Sequence, residues 1–185
     1  MKQPRTLSVF TENRVGLLHR VTSVFTRRNL NIESLTVSES EVRGIHRFTI
    51  VSSLTRDEAD KIAAQLEKQV EVLKALVHDE EDVIRRDLAL YKLPAASGDD
   101  PRFARALAEG ARIVEQTSAF VVIEKTGTSE ELSALFAALG PDEVLEFVRS
   151  GQVAMTRPMK RLSAYLAELE RAREVGAIDS NEGKA

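Results

Sequence analysis

A glycine stands where a helix should begin, and the polar residues around it are of the kinds that hold a free amino acid. Gly16 follows the turn Glu12-Asn13-Arg14-Val15 and opens a helical stretch, where Gly costs up to ~1 kcal/mol relative to Ala. A helix start offers free amide donors and the positive end of a dipole, which suit a carboxylate. A glycine lets that carboxylate approach the backbone, and Asn13 or Asn31 can give both a donor and an acceptor to an α-amino acid. Asn31 and Thr36 lie at the start of and within the next strand-like run. In a βαβ arrangement the helix start and that strand can meet at a sheet edge. A turn glycine with capping asparagines is the competing reading, and the pattern alone leaves both open.

Other chemistries find few residues to use. The chain has no cysteine, which removes disulfides, thiolate catalysis and Cys-based metal sites. Its histidines are three, His19, His46 and His78, and no zinc-helix, nucleophile-elbow or phosphate-loop motif surrounds them. The expectation is that this chain has no catalytic site and no metal site of its own. The runs Asp79-Glu80-Glu81-Asp82 and Asp99-Asp100 lack the glycine and terminal carboxylate of a calcium loop and read as solvated connector charge. Lys+Arg 26 against Asp+Glu 29 gives a net charge of -3, so there is no general attraction to nucleic acid. Aromatic residues at 5%, with no Trp, serve base stacking poorly. The start, Met-Lys-Gln-Pro-Arg, runs into a strand-like stretch, and no apolar run approaches the ~20 residues that span a bilayer. A cytoplasmic protein without membrane or nucleic-acid partners is expected.

The elements that must position the glycine and the asparagines repeat along the chain. Leu7 to Phe10 alternates as a half-buried strand, and a helix follows with Leu18, Val21, Thr22 and Phe25 on one face. Asn29-Leu30-Asn31 ends it. Ile32 to Val37 and Ile45 to Val51 form a hairpin around Gly44. Thr55 and Glu58 make a capping box for a second helix, and Val72 to Val77 closes a βαββαβ unit over residues 5–79. The second half follows the same order over residues 86–157. It has a strand at Leu88 to Leu93, a helix from Phe103 to Ala111, strands at Ile113 to Thr117 and Phe120 to Glu124, and a second capping box at Thr128 and Glu131. Val144 to Val148 and Val153 to Met155 are a strand pair, or one strand broken at Gly151. An amphipathic helix over 158–175 carries Leu162, Tyr165, Leu166 and Leu169, and 176–185 reads as a frayed tail. The fold class is α+β, with two ferredoxin-like domains and a C-terminal helix. Domains of ~70 residues have marginal cores and open sheet edges, so a homodimer or larger assembly is expected.

Residues Leu7 to Val37, LSVFTENRVGLLHRVTSVFTRRNLNIESLTV, closely resemble the N-terminal ACT domain of acetolactate synthase small subunits. The resemblance is carried by SV-x-x-EN-x-x-G-x-L, from Ser8 to Leu18, and by NIESLTV, from Asn31 to Val37. QLEKQVEVLK at 65–74, TGTSEEL at 126–132 and FVRSGQVAMTR at 147–157 extend it over roughly residues 5–157.

The resemblance implies a regulatory subunit that activates a separate catalytic (large) subunit of acetolactate synthase and confers feedback inhibition by a branched-chain amino acid, usually valine. Thiamine diphosphate, magnesium and FAD are then expected only in that catalytic partner. Carried over residue by residue, the amino-acid-binding residues are Asn13, Gly16, Leu18, Asn31, Ile32 and Thr36, split between the first strand–helix turn and the second strand of a neighbouring ACT domain. Leu17 and His19 depart from the smaller residues many members have there, which implies crowding beside the ligand. The alternative is a free-standing ACT amino-acid sensor acting on another enzyme or a transcription factor, which would need neither NIESLTV nor the second domain.

Overall fold

The computed structural model describes residues 1–95, 100–157, 161–168 and 170–171. The chain divides into two compact units, one containing Met1–Val83 and the described residues after Met155, the other Ile84–Met155. Of the span expected as a tail helix, 158–175, the described residues 161–168 and 170–171 are grouped with the first unit. Residues 162–168 are helical with Leu162 fully buried, whereas Pro158, Leu169 and the 176–185 tail lie outside the described residues.

The first unit runs β1 (Gln3–Glu12), α1 (Leu17–Thr26), β2 (Ser34–Glu39), β3 (Ile45–Leu54), α2 (Arg56–Leu66) and β4 (Val72–His78). The antiparallel sheet has the order β2-β3-β1-β4, the ferredoxin-like arrangement of an ACT domain. Alternation along β1 sends Leu7 and Val9 into a core with Val21, Val24 and Phe25 of α1 and Ile62 and Leu66 of α2. The Thr55 hydroxyl accepts from the Glu58 amide and the Glu58 carboxylate accepts from the Thr55 amide, so the capping box forms as expected. The phase of α1 differs from expectation. Its buried stripe is Leu17, Val21, Val24 and Phe25, while Leu18 is 50% exposed.

The other face of this sheet is also buried, and it sets polar side chains beside Phe10 and Val51. Thr6, Ser8 and Thr49 are almost inaccessible, and His78 on β4 reaches Ser8 on β1. The connector acids after β4 are not simply solvated. Asp79 accepts from Arg5 of β1 and, at 2.7 Å, from Arg56 of α2, and the Arg5 bond is the first reason its carboxyl is held below the usual range.

A 3-10 turn, Glu80–Asp82, leads to the second unit. This contains β5 (Val83–Pro94), α3 (Pro101–Ala108), β6 (Arg112–Gln116), β7 (Phe120–Gly127), α4 (Ser129–Leu139), β8 (Glu146–Arg149) and β9 (Val153–Thr156). Its sheet has the order β6-β7-β5-β8, and β9 also pairs with β5. The last segment is thus one edge interrupted at Gly151, whose φ is 82°, rather than a separate hairpin. Tyr91 is fully buried and donates its hydroxyl proton to Leu132 O at 2.8 Å. Thr128 and Glu131 form the second capping box. Asp100 is a helix cap, accepting from the Arg102 amide at 2.7 Å, instead of a free connector charge. Asp99 lies outside the described residues. Among the described residues no helix is long and apolar enough to cross a membrane.

Candidate functional site

The turn from β1 into α1 exposes an uncapped helix start. Gly16 is the N-cap residue at φ 81°, a left-handed conformation that L side chains rarely adopt. A Cβ built there would have nothing within 4 Å, so the space above the glycine is open. Gly16 provides no side-chain cap, and no acidic residue stands in the first turn. The first-turn amides of Leu18 and His19 have no acceptor among the described residues, which leaves them available to a carboxylate. Leu18 exposes its isobutyl group beside them, and the exposed Asn13 side chain follows the end of β1. Leu17 does not crowd this space. It is 3% exposed and belongs to the core, so of the two departures only His19 is on the surface.

The turn is held from a residue that sequence reading passed over as a hairpin punctuation mark. The Asn13 amide donates to Gly44 O at 3.1 Å, while the Gly44 amide donates to Glu39 Oε1 at 3.0 Å. Gly44 has φ 80°, so the β2–β3 turn needs that glycine to bring its carbonyl under the Asn13 amide. The ion pair of Arg20 with Glu71 at 2.8 Å ties α1 to the chain entering β4.

The remaining candidates lie elsewhere in the sheet. Asn31 and Ile32 precede β2. Asn31 O accepts from the Ser52 hydroxyl at 2.6 Å, and Ile32 packs its partly buried side chain on the core. Thr36 lies within β2, opposite Thr49. The strand–helix turn leaves the row where Glu12 opposes Ile45, whereas Asn31 is anchored at Ser52, seven residues along β3. At ~3.3 Å per residue these ends are about 23 Å apart. One chain therefore brings Asn13, Gly16 and Leu18 together, and Asn31 with Ile32, but does not bring the two groups together. The sheet-edge meeting expected of a single βαβ unit does not occur.

The second buried face of the first sheet holds the arrangement closest to a catalytic pair. His78 Nε2 is 3.0 Å from Ser8 Oγ, and Arg47 Nη2 donates to the same oxygen at 2.9 Å. Burial first, then the Arg47 charge, pushes the imidazole down to about 4, which makes it a poor base near neutrality. The arrangement links β1, β3 and β4 by hydrogen bonds. Among the described residues no group of three or more His, Asp or Glu side chains is placed to hold a metal ion.

Comparison with known proteins agrees over both units. Residues 7–74 match the family model described as the AHAS small subunit-like ACT domain, and residues 86–158 match the small subunit of acetolactate synthase. The acetolactate synthase small subunit of Mycolicibacterium smegmatis is 36% identical over 160 residues, covering 86% of this chain and 94% of that protein. That of Bacillus subtilis is 33% identical over 159 residues, covering 85% and 91%. The crystal structure of the acetolactate synthase small subunit from Thermotoga maritima superposes with a TM-score of 0.79 at 29% identity, covering 85% of this chain and 99% of that one.

Proposed function

Because this chain belongs to the acetolactate synthase small-subunit family, we propose that it activates a thiamine-diphosphate-dependent catalytic subunit in the cytoplasm and makes it sensitive to a branched-chain amino acid, valine first. The observation that carries the effector reading is the open, left-handed Gly16 at an uncapped helix start, with Leu18 exposed beside it. The amide groups take the carboxylate, Asn13 takes the amino group, and the apolar side chain lies on Leu18.

The other half of the site comes from a second copy. β2 is an edge strand, bordered only by β3 among the described residues. Antiparallel pairing of two β2 strands about a two-fold axis sets the Ser34 end of one beside the Glu39 end of the other. The Glu39 end opposes His46, one row from where Glu12 leads into the turn. Asn31 and Ile32 of one protomer would then approach the turn of its partner, with Thr36 between them. This reading explains why the two groups of candidates are about 23 Å apart in a single chain.

The test is reconstitution. Acetolactate formation is measured for the catalytic subunit alone, this chain alone, and both together, with a titration of valine, leucine and isoleucine. Stimulation that valine reverses supports the proposal. Turnover of pyruvate by the chain alone, or no effect on the catalytic subunit, would overturn it.

A further inference from the structure

We propose that the groove between α1 and the end of α2 is the docking surface for an acidic segment of the catalytic subunit; this rests on the reading above that such a partner exists. From Asn13 to Ile32 the chain carries Arg14, Arg20, Arg27 and Arg28, with His19, and not one Asp or Glu, although Asp+Glu outnumber Lys+Arg by 29 to 26 in the whole sequence. The fold sets much of that basic stretch along one side of a groove of about 480 Å³, formed by His19 and Ser23 of α1 and Arg27 at its C-terminal cap against Gln65, Lys68 and Gln69. Arg20 at its wall is paired with Glu71, and Arg28 donates to Gln65 Oε1 at 2.9 Å. Arg27 and Lys68 are exposed and have no carboxylate partner among the described residues.

The second unit makes the contrast plain. Its cleft of about 610 Å³ is also lined with cations, but they are largely neutralised: Arg102 by Asp100 and Glu143, Arg105 and Lys125 by Glu109. The α1–α2 groove has no Asp or Glu in its lining, whereas the second cleft contains Glu109 and Glu131 beside its cations. From His19 to Arg27 is eight residues, about 12 Å along the helix. Charges strung along a groove of that length suit successive acidic side chains on a protein segment better than one small anion. Exposed charge of this kind steers encounter and selects a partner by complementarity, and salt screens it. The groove also begins at His19, next to Leu18, so α1 is a single rigid element shared by the effector turn and the docking face.

The experiment uses the full chain and the catalytic subunit, with affinity measured at low and moderate salt. The double variant Arg27→Glu/Lys68→Glu is expected to bind the catalytic subunit at least ~tenfold more weakly, with a reduced salt dependence. Arg27→Gln/Lys68→Gln is expected to fall between it and the wild type, and decides the matter if the reversed variant loses its fold by circular dichroism. The control Lys2→Glu/Lys61→Glu makes the same charge change outside the groove and is expected to bind normally. Wild-type and groove variants of equal affinity would overturn the docking proposal alone, as would an equal loss in the control. Displacement of the catalytic subunit by inorganic pyrophosphate at constant ionic strength would overturn it in favour of a small-anion site. A wild-type chain that does not bind the catalytic subunit at all would instead overturn the partner reading.

Discussion

Ser8 and His78 stand seventy residues apart in the chain, yet Ser8 Oγ and His78 Nε2 are 3.0 Å apart on the second buried face of the first sheet. Arg47 Nη2 fills one acceptor position of the Ser8 oxygen, so the hydroxyl is placed to donate to a neutral imidazole. The relay satisfies polar groups on three strands in a place where leaving one unpaired would cost about 1–3 kcal/mol.

The relay makes the first unit acid-sensitive. His78 is 7% exposed, and its folded-state value of about 4 lies below the 6.5 of an ordinary histidine, because burial and the Arg47 charge outweigh the pull of Asp82 and Asp79. The unfolded chain thus binds the proton first. Stability from this group is complete above about pH 6.5 and falls as the pH drops toward 4, by up to about 3 kcal/mol. Urea unfolding at pH 7.5, 5.5 and 4.5 is expected to show that decline, and His78→Gln is expected to flatten it. A variant as pH-dependent as the wild type would assign the loss to other groups.

Gly16→Asp is expected to abolish amino-acid feedback. The aspartate would place a like charge where the ligand carboxylate sits and would occupy the open space above the glycine. At ~4 Å and an effective dielectric near 20 the repulsion reaches ~4 kcal/mol, and even ~2.8 kcal/mol weakens binding about a hundredfold. The left-handed φ adds local strain of roughly 1–2 kcal/mol, which Asp tolerates better than most residues. Gly16→Ala carries the strain without the charge and serves as the comparison. Calorimetric titration with valine checks both. Undiminished binding by the aspartate variant would place the effector elsewhere.

Val37→Pro is expected to separate the protomers. The Ser40 amide donates inward to Ile45 O, and alternation of the antiparallel ladder from that bond turns the amides of Val37 and Leu35 to the outer edge of β2. Proline at 37 removes an outward donor and none of the inward ones. Light scattering at micromolar protein is expected to give a dimer for the wild type and a lower mass for the variant. A wild-type monomer, with and without valine, would defeat the edge-pairing scheme.

Thr55→Ala is expected to destabilise the first unit by about 1 kcal/mol, since it removes the oxygen that accepts the Glu58 amide. Thr55→Ser keeps that oxygen and is expected to melt close to the wild type. Thermal unfolding followed by circular dichroism compares the three.

The features that sequence determined are those whose physics is local. Both capping boxes were legible because Thr55 with Glu58 and Thr128 with Glu131 need only three residues of helix to find each other. Strand alternation in Leu7 to Phe10 and the glycine at the first helix start were legible for the same reason. The motifs around Gly16 and Asn31 pointed to the family that the comparisons then matched. Tertiary structure decided what depends on register and packing. Two adjacent leucines fit the α1 periodicity equally well, and only the core buried Leu17 and left Leu18 to solvent. The same holds for Asp79, which reads as connector charge until β1 and α2 bring Arg5 and Arg56 to it. Nothing in the chain brings Ser8 near His78, or separates Asn31 from Gly16, until the strands are paired. A spacing pattern fixes which way a side chain points along its own element, whereas the distance between elements follows from strand order, and that is set by the burial of the whole sheet.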